Sequence, residues 1–278
     1  MGKLAEAAMA PERVDQRNLV ALLLDTSESM GRGQAPTPID ELNDAVGKFL
    51  SEDIPKHRKL RQSGEIAIGQ FRKLGNDQAR FVEWLKLADH DAEASHPFYL
   101  ARDLRAQDQL DASGQTPIAT AILLGLAAIE KRKEQLRNSQ PPKSHEHRPV
   151  LYLVTDGAPE GETDRRMEEA VEELQRAERE KRVLFFSIGT GGADMDLLSS
   201  LSLGGSDNAY DLKDQSLSQL LQFVSRSSEA TFAPEAVGSD ESLVEPGDPM
   251  DARNVYVNVR RKFNEGFFKN LDDRPFAG

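Results

Sequence analysis

Residues 18–30 read NLVALLLDTSESM, and this stretch decides the fold. Leu19 to Leu24 is a short, unbroken apolar run. Such a run suits a strand buried on both faces, as in a parallel sheet, because helices cover each side of the pleat. It stops abruptly at Asp25 and gives way to a polar loop that extends to Gln34. Thr37-Pro38 then reads as a helix start, with Thr37 as N-cap and Pro38 in the first turn. Ile39, Leu42, Val46, Phe49 and Leu50 follow at helical spacing and give that helix one face to lay on the sheet.

The same alternation continues outward. Strands are expected at Glu65 to Phe71, Val150 to Val154, Arg182 to Ile188 and near Ala209 to Leu212, with an edge strand near Arg80 to Leu85. Helices are expected from Thr116-Pro117 through Ile129, across Met167, Val171, Leu174 and Ala177, over Met195 to Leu201, and through Leu217, Leu220, Leu221 and Val224. Ala88 to Ser113 is polar and weakly periodic, and reads as loops and short turns. Ser139 to Pro149 reads as a loop. The pattern predicts an α/β fold: a doubly wound, mostly parallel sheet with helices on both faces. Residues 1–17 form an N-terminal extension, 18–231 the domain, 232–251 an acidic linker without apolar period, and 252–278 a tail segment with Val255, Val257 and Val259 on one side of a possible strand.

Composition narrows the function. The 278 residues carry a formal net charge of -12, which disfavours a nucleic-acid partner because the phosphate backbone would be repelled. There is no cysteine, so disulfide frameworks and cysteine-ligated zinc are excluded. The N-terminal residues lack the apolar run of a signal peptide, and no run of about 18 apolar residues exists to span a membrane. A soluble, cytoplasmic protein is the expectation.

Three separated loops should meet at one edge of the sheet: Asp25-Thr26-Ser27-Glu28-Ser29, Gly114-Gln115-Thr116 and Thr155-Asp156-Gly157. Open α/β sheets bind ligands outside the carboxyl ends of their strands, where strand order reverses. Hydroxyl and carboxylate oxygens are hard ligands that suit Mg²⁺, Mn²⁺ or Ca²⁺. Ser27 and Ser29 would point the same way in an extended segment, Thr116 supplies a third hydroxyl, and Asp25 and Asp156 hold the site together directly or through water.

Asp25, Ser27 and Ser29 match the D-x-S-x-S motif of von Willebrand factor A domains; Thr116 matches that family's isolated threonine, and Asp156 the aspartate after its central strand. The chain thus resembles this family over roughly Asn18 to Ser228. The resemblance implies a metal-ion-dependent adhesion site in which the two serines and the threonine ligate directly in one state. DTSESM and TDGAPEG look most like bacterial A-domain proteins associated with tellurium resistance, which occur beside protein kinases and metal-dependent phosphatases. Glu28 departs from the small residue common at that position and adds negative charge near the ion.

Competing readings are weaker. Asp, Ser and Thr after a strand also serve as helix caps, and Thr116-Pro117 reads as a helix N-cap in its own right. Gly189-Thr190-Gly191-Gly192 lacks the spacing of a phosphate cradle and reads as a turn. His145 and His147 read as solvated loop residues, and Trp84 as packing on an edge strand. A metal-dependent phosphotransferase of the haloacid dehalogenase type needs an acid two residues after its nucleophile, where this chain has Ser27. A serine hydrolase needs G-x-S-x-G, which is absent. The expectation is a non-enzymatic module that binds a protein partner's Asp or Glu through a divalent ion. A subunit of an ATP-driven chaperone or chelatase shares the same metal site and stays open as an alternative.

Overall fold

A computed structural model of the chain describes residues 17–89, 96–105, 109–139, 148–190 and 193–211. The expected helix through Leu217 and Val224, the linker, the tail, the N-terminal extension before Arg17, His145, His147 and Gly191-Gly192 lie outside these residues.

The sheet runs in the order β3-β2-β1-β5-β6-β7. Its strands are β1 (Asn18–Asp25), β2 (Gly64–Phe71), β3 (Val82–Trp84), β5 (Val150–Thr155), β6 (Leu184–Gly189) and β7 (Ala209–Asp211). A two-residue strand, β4 (Tyr99–Leu100), pairs antiparallel with Glu65 and Ile66 of β2. β3 is antiparallel to β2, whereas the β1–β2, β1–β5, β5–β6 and β6–β7 pairs are parallel. Chain order therefore reverses at β1: β2 lies on one side of it and β5 on the other. The crevice above the carboxyl ends of β1 and β5 is the switch point where this class of sheet accepts ligands.

Side-chain alternation explains the unbroken apolar runs. Val20, Leu22 and Leu24 of β1 join Ile66, Ile68, Tyr152 and Val154 on one face, under helix α1 (Pro38–Lys48). The chain continues through a π-type turn (Phe49–Asp53) into two short helices, α2 (Ile54–Lys56) and α3 (Arg58–Ser63). Leu19, Ala21 and Leu23 turn to the other face with Ala67, Leu151, Leu153 and Phe185. Helices α4 (Ile118–Asn138), α5 (Asp164–Arg179) and α6 (Met195–Leu201) contribute to that second layer. Helices on both faces leave every β1 residue buried, and between Asn18 and Asp25 the strand carries only apolar side chains.

Local signals are used as read in several places. Thr37 and Asp40 form a capping box at α1, with the Thr37 N–H donating to the Asp40 carboxylate at 2.8 Å. Trp84 packs on the edge strand: a Cβ at Gly69 would lie 3.1 Å from its ring, so the glycine makes room for it. β6 starts at Leu184, two residues later than the apolar pattern suggests: the Arg182 N–H is committed to Ala177 O at the end of α5, and its side chain pairs with Glu130, Glu173 and Glu180. At the amino end of β2, buried Glu65 accepts from Arg132 of α4 at 2.6 and 2.9 Å and pairs with Arg17 at 3.3 Å. That ion cluster ties α4 to the sheet at the end away from the switch point.

Candidate metal centre

β1 ends at Asp25, whose side chain is fully buried. Its Oδ1 accepts the Ser27 N–H at 2.8 Å, and its Oδ2 accepts the Thr155 hydroxyl at 2.5 Å. Both oxygens are thus committed to holding the Ser27 loop and the end of β5 together. Thr155 was not among the expected site residues. Its signal was the Thr-Asp-Gly sequence at a strand end, which alone does not separate a positioning hydroxyl from an ordinary strand residue.

After Ser27 the chain does not stay extended. Ser27 itself is extended (φ -64, ψ 169), but Glu28–Gly31 forms a 3₁₀ turn. The expected reason for the two serines facing one way is therefore wrong, although the serines do meet: Ser27 Oγ and Ser29 Oγ are 3.0 Å apart. The turn closes through Met30 N–H to Ser27 O, and the Met30 side chain is buried as its anchor. Ser29 donates to Asp156 Oδ1 at 2.8 Å.

Thr116 is 3 % exposed. A Cβ at Gly157 would meet Thr116 Oγ1 at 3.9 Å and Ser29 Oγ at 4.0 Å, which puts both hydroxyls over the same glycine. The first two loops are also stitched through their backbones, and the second is tied to Lys73. Glu28 N–H donates to Gly114 O, Ser113 N–H to Thr26 O, and Lys73 and Gln115 exchange both backbone bonds. Gly114 has φ +77 and lies so close to Lys73 O that a Cβ would sit 2.5 Å from it, so no other residue fits. The five expected residues, Asp25, Ser27, Ser29, Thr116 and Asp156, thus come together at the carboxyl edge of the sheet.

One expectation fails. Thr116 is not the N-cap of α4; the residue in that position is Pro117 (φ -83, ψ 67). The Ala119 and Thr120 N–H groups donate instead to the Glu162 carboxylate, at 2.8 and 2.9 Å. A local rule for Thr-Pro cannot register a cap that arrives from another loop. The Glu28 carboxylate pairs with Arg32 at 3.2 Å on the surface.

The electrostatics favour a cation. Burial pushes the Asp25 carboxyl up to about 6, against the hydrogen bonds from Thr155 and Ser27 that favour its charge, and the nearby Asp156 pushes it the same way. Burial also raises the Asp156 carboxyl, opposed by the Ser29 hydrogen bond. Two carboxylates sharing a buried edge with three neutral hydroxyls form a donor set of hard oxygens only. The 3.0 Å between Ser27 Oγ and Ser29 Oγ equals the edge of an octahedron whose ligands lie about 2.1 Å from its centre. These residues fit a divalent cation that takes oxygen ligands. Among the described residues no group of three or more His, Cys, Asp or Glu could hold a metal, so a carboxylate- or imidazole-rich centre is not present there. No helix among them is long and apolar enough to cross a membrane.

Several solved structures are similar to the chain. Against the pilus adhesin SpaC of Lactobacillus rhamnosus GG the TM-score is 0.54 at 13% identity, over 78% of this chain and 32% of the adhesin, a likeness of fold alone. The mussel byssus proximal thread matrix protein 1, solved with zinc in its metal-ion-dependent adhesion site motif, matches at 16% identity and TM-score 0.45, over 78% of this chain and 46% of that one. The VWA domain of SpRpn10 matches at 14% identity and TM-score 0.46, over 74% of this chain and 94% of that domain. The chain thus spans less than half the length of the adhesin and the mussel protein. No curated protein matches it significantly. The family model for the von Willebrand factor type A domain matches residues 20–225, and the chain belongs to that family.

Proposed function

We propose that this chain is a non-enzymatic interaction module that binds a partner protein through one divalent cation, Mg²⁺ or its relatives Mn²⁺ and Ca²⁺. The observation that carries the proposal is the meeting of Ser27, Ser29, Thr116, Asp25 and Asp156 at the switch point, with the serine hydroxyls at octahedral-edge separation. Ser27, Ser29 and Thr116 are the direct ligands. Asp25 acts through its neighbours, since Ser27 N–H and the Thr155 hydroxyl occupy its oxygens. Asp156 orients Ser29. The cation offers an open Lewis-acid position to an oxygen ligand from outside.

The chemistry of that outside ligand follows from charge. A first shell of neutral hydroxyls leaves a divalent ion only partly compensated, so an anionic ligand gains more than a neutral one. A partner Asp or Glu carboxylate fits; an amide keeps a dipole and loses the charge. On the likeness of DTSESM and TDGAPEG to tellurium-resistance-associated proteins, the partner belongs to a bacterial stress or signalling system with a protein kinase and a phosphatase.

The test is affinity capture with the full chain in Mg²⁺ and in excess chelator. The complex is expected to form in Mg²⁺ and to weaken by about a hundredfold or more in chelator. Replacing one acidic residue of the captured partner by its amide should reproduce most of that loss. A complex unchanged by excess chelator removes the metal bridge.

A further inference from the structure

We infer that Glu162 is a positioning residue for the cation site: it caps α4 in place of Thr116 and clamps the Asp156 loop against the Thr116 loop. The inference rests on the proposed cation reading. Every helix begins with four backbone N–H groups that have no partner inside the helix. In α4 all four are accounted for. Ile118 N–H donates to Thr116 O at 3.0 Å, and Ala121 N–H to Pro117 O at 3.0 Å. Ala119 and Thr120 donate to the two oxygens of Glu162. The buried Thr120 hydroxyl adds a third bond to the same carboxylate at 2.5 Å. A carboxylate at the positive end of a 21-residue helix is also favoured by the helix dipole.

Two consequences reach the site. The Thr116 hydroxyl is released from capping and remains available beside Gly157 and Ser29. The loop that carries Asp156 is fixed from its far side, because β5 holds it before Asp156 and Glu162 holds it after. Neighbouring bonds reinforce the clamp: Glu160 N–H donates to Thr116 O at 2.9 Å, and the Lys73 ammonium donates to Gly161 O. Arg132 and Glu65 fix the same helix further along, so α4 gives the clamp a rigid base.

A clamp of this kind has a signature that simple loss of stability lacks. Mg²⁺ demands near-ideal octahedral geometry, whereas Ca²⁺ tolerates irregular and larger shells. Loosening the Asp156 loop should therefore cost Mg²⁺ more than Ca²⁺. The experiment titrates Mg²⁺ and Ca²⁺ separately into the full chain, E162A and E162Q, and follows backbone hydrogen exchange in chelator. E162A is expected to lose about tenfold or more in Mg²⁺ affinity, with the Mg²⁺-to-Ca²⁺ preference moving at least about threefold toward Ca²⁺. E162Q should fall between, because its single carbonyl oxygen can serve only part of the cap. In chelator the Glu160, Ala119 and Thr120 amides should exchange faster while Leu22 in β1 stays protected. If E162A does not fold, E162Q carries the same comparison. Unchanged protection at Glu160, or equal loss of affinity for both ions, overturns the role of Glu162. A wild-type chain that takes up neither ion sinks the cation reading itself, and the exchange measurement then decides the clamp alone.

Discussion

In chelator at pH 7.5, Asp25→Asn is expected to unfold several degrees above the wild-type chain, and saturating Mg²⁺ is expected to reverse the order. Asp25 is fully buried and its carboxyl is pushed up to about 6 from its ordinary 3.8. A carboxyl raised on folding contributes stability that is present below the unfolded value and lost as pH rises through the folded one. The metal-free chain should therefore lose stability between about pH 4 and 6, by up to about 3 kcal/mol from this group. Asp156 is shifted in the same direction and adds to the loss. Asparagine has the same shape and no charge. Its carbonyl can accept the Ser27 N–H, and its amide can face Thr155, whose hydroxyl also lies 3.4 Å from Gly157 O. The gap between the two proteins should thus open across pH 4 to 6 and persist above it. Cation then stabilises the wild type by mass action, about 4.1 kcal/mol at a thousand times Kd, which exceeds that loss. Thermal unfolding at pH 4.5 and 7.5, with and without Mg²⁺, reads all four arms. A variant less stable than wild type in chelator at pH 7.5 would show that the buried charge is already compensated within the chain.

Thr116→Ala is expected to weaken Mg²⁺ binding by about tenfold to a hundredfold, at least what loss of an outer-shell partner costs at metal sites. The fold should tolerate the change. The first four amides of α4 are satisfied by Thr116 O, Pro117 O and Glu162, none of which involves the Thr116 hydroxyl. A helix cap would behave in the opposite way, with about 1 kcal/mol of stability lost and metal affinity kept. Thr116→Ser retains the hydroxyl and should stay near wild type. Titration of free Mn²⁺ by its electron paramagnetic resonance signal separates these outcomes. A Thr116→Ala protein with wild-type affinity would remove the threonine from the ligand set.

The fold was legible because its decisive strands are short apolar runs ending in polar loops. Leu19 to Leu24 and Val150 to Val154 could be placed in the middle of a parallel sheet from that pattern alone. β4 was not legible: Tyr99 and Leu100 sit in a polar segment and are strand only because Glu65 and Ile66 offer them an edge. That Asp25, Ser27, Ser29, Thr116 and Asp156 would meet was legible as a set, since each lies where a strand ends or a helix begins. Their supports were not. Glu162 reaches α4 from 42 and 43 residues away, and Thr155 reaches Asp25 across 130. Rules for caps and turns work within a few residues, so they assigned the cap to Thr116 and an extended course to Ser27 and Ser29. Packing replaced both with a distant carboxylate and a 3₁₀ turn anchored by Met30.

Calorimetric titration of Mn²⁺ or Mg²⁺ into the wild-type chain and Asp25→Ala tests the centre most directly. Asp25 bonds both the Ser27 loop and Thr155, so its removal should release the ligating loop from the end of β5. One ion is expected to bind per wild-type chain, with little or no heat of binding for Asp25→Ala and both proteins folded. Equal uptake by the two proteins, or no uptake by the wild type, would contradict it.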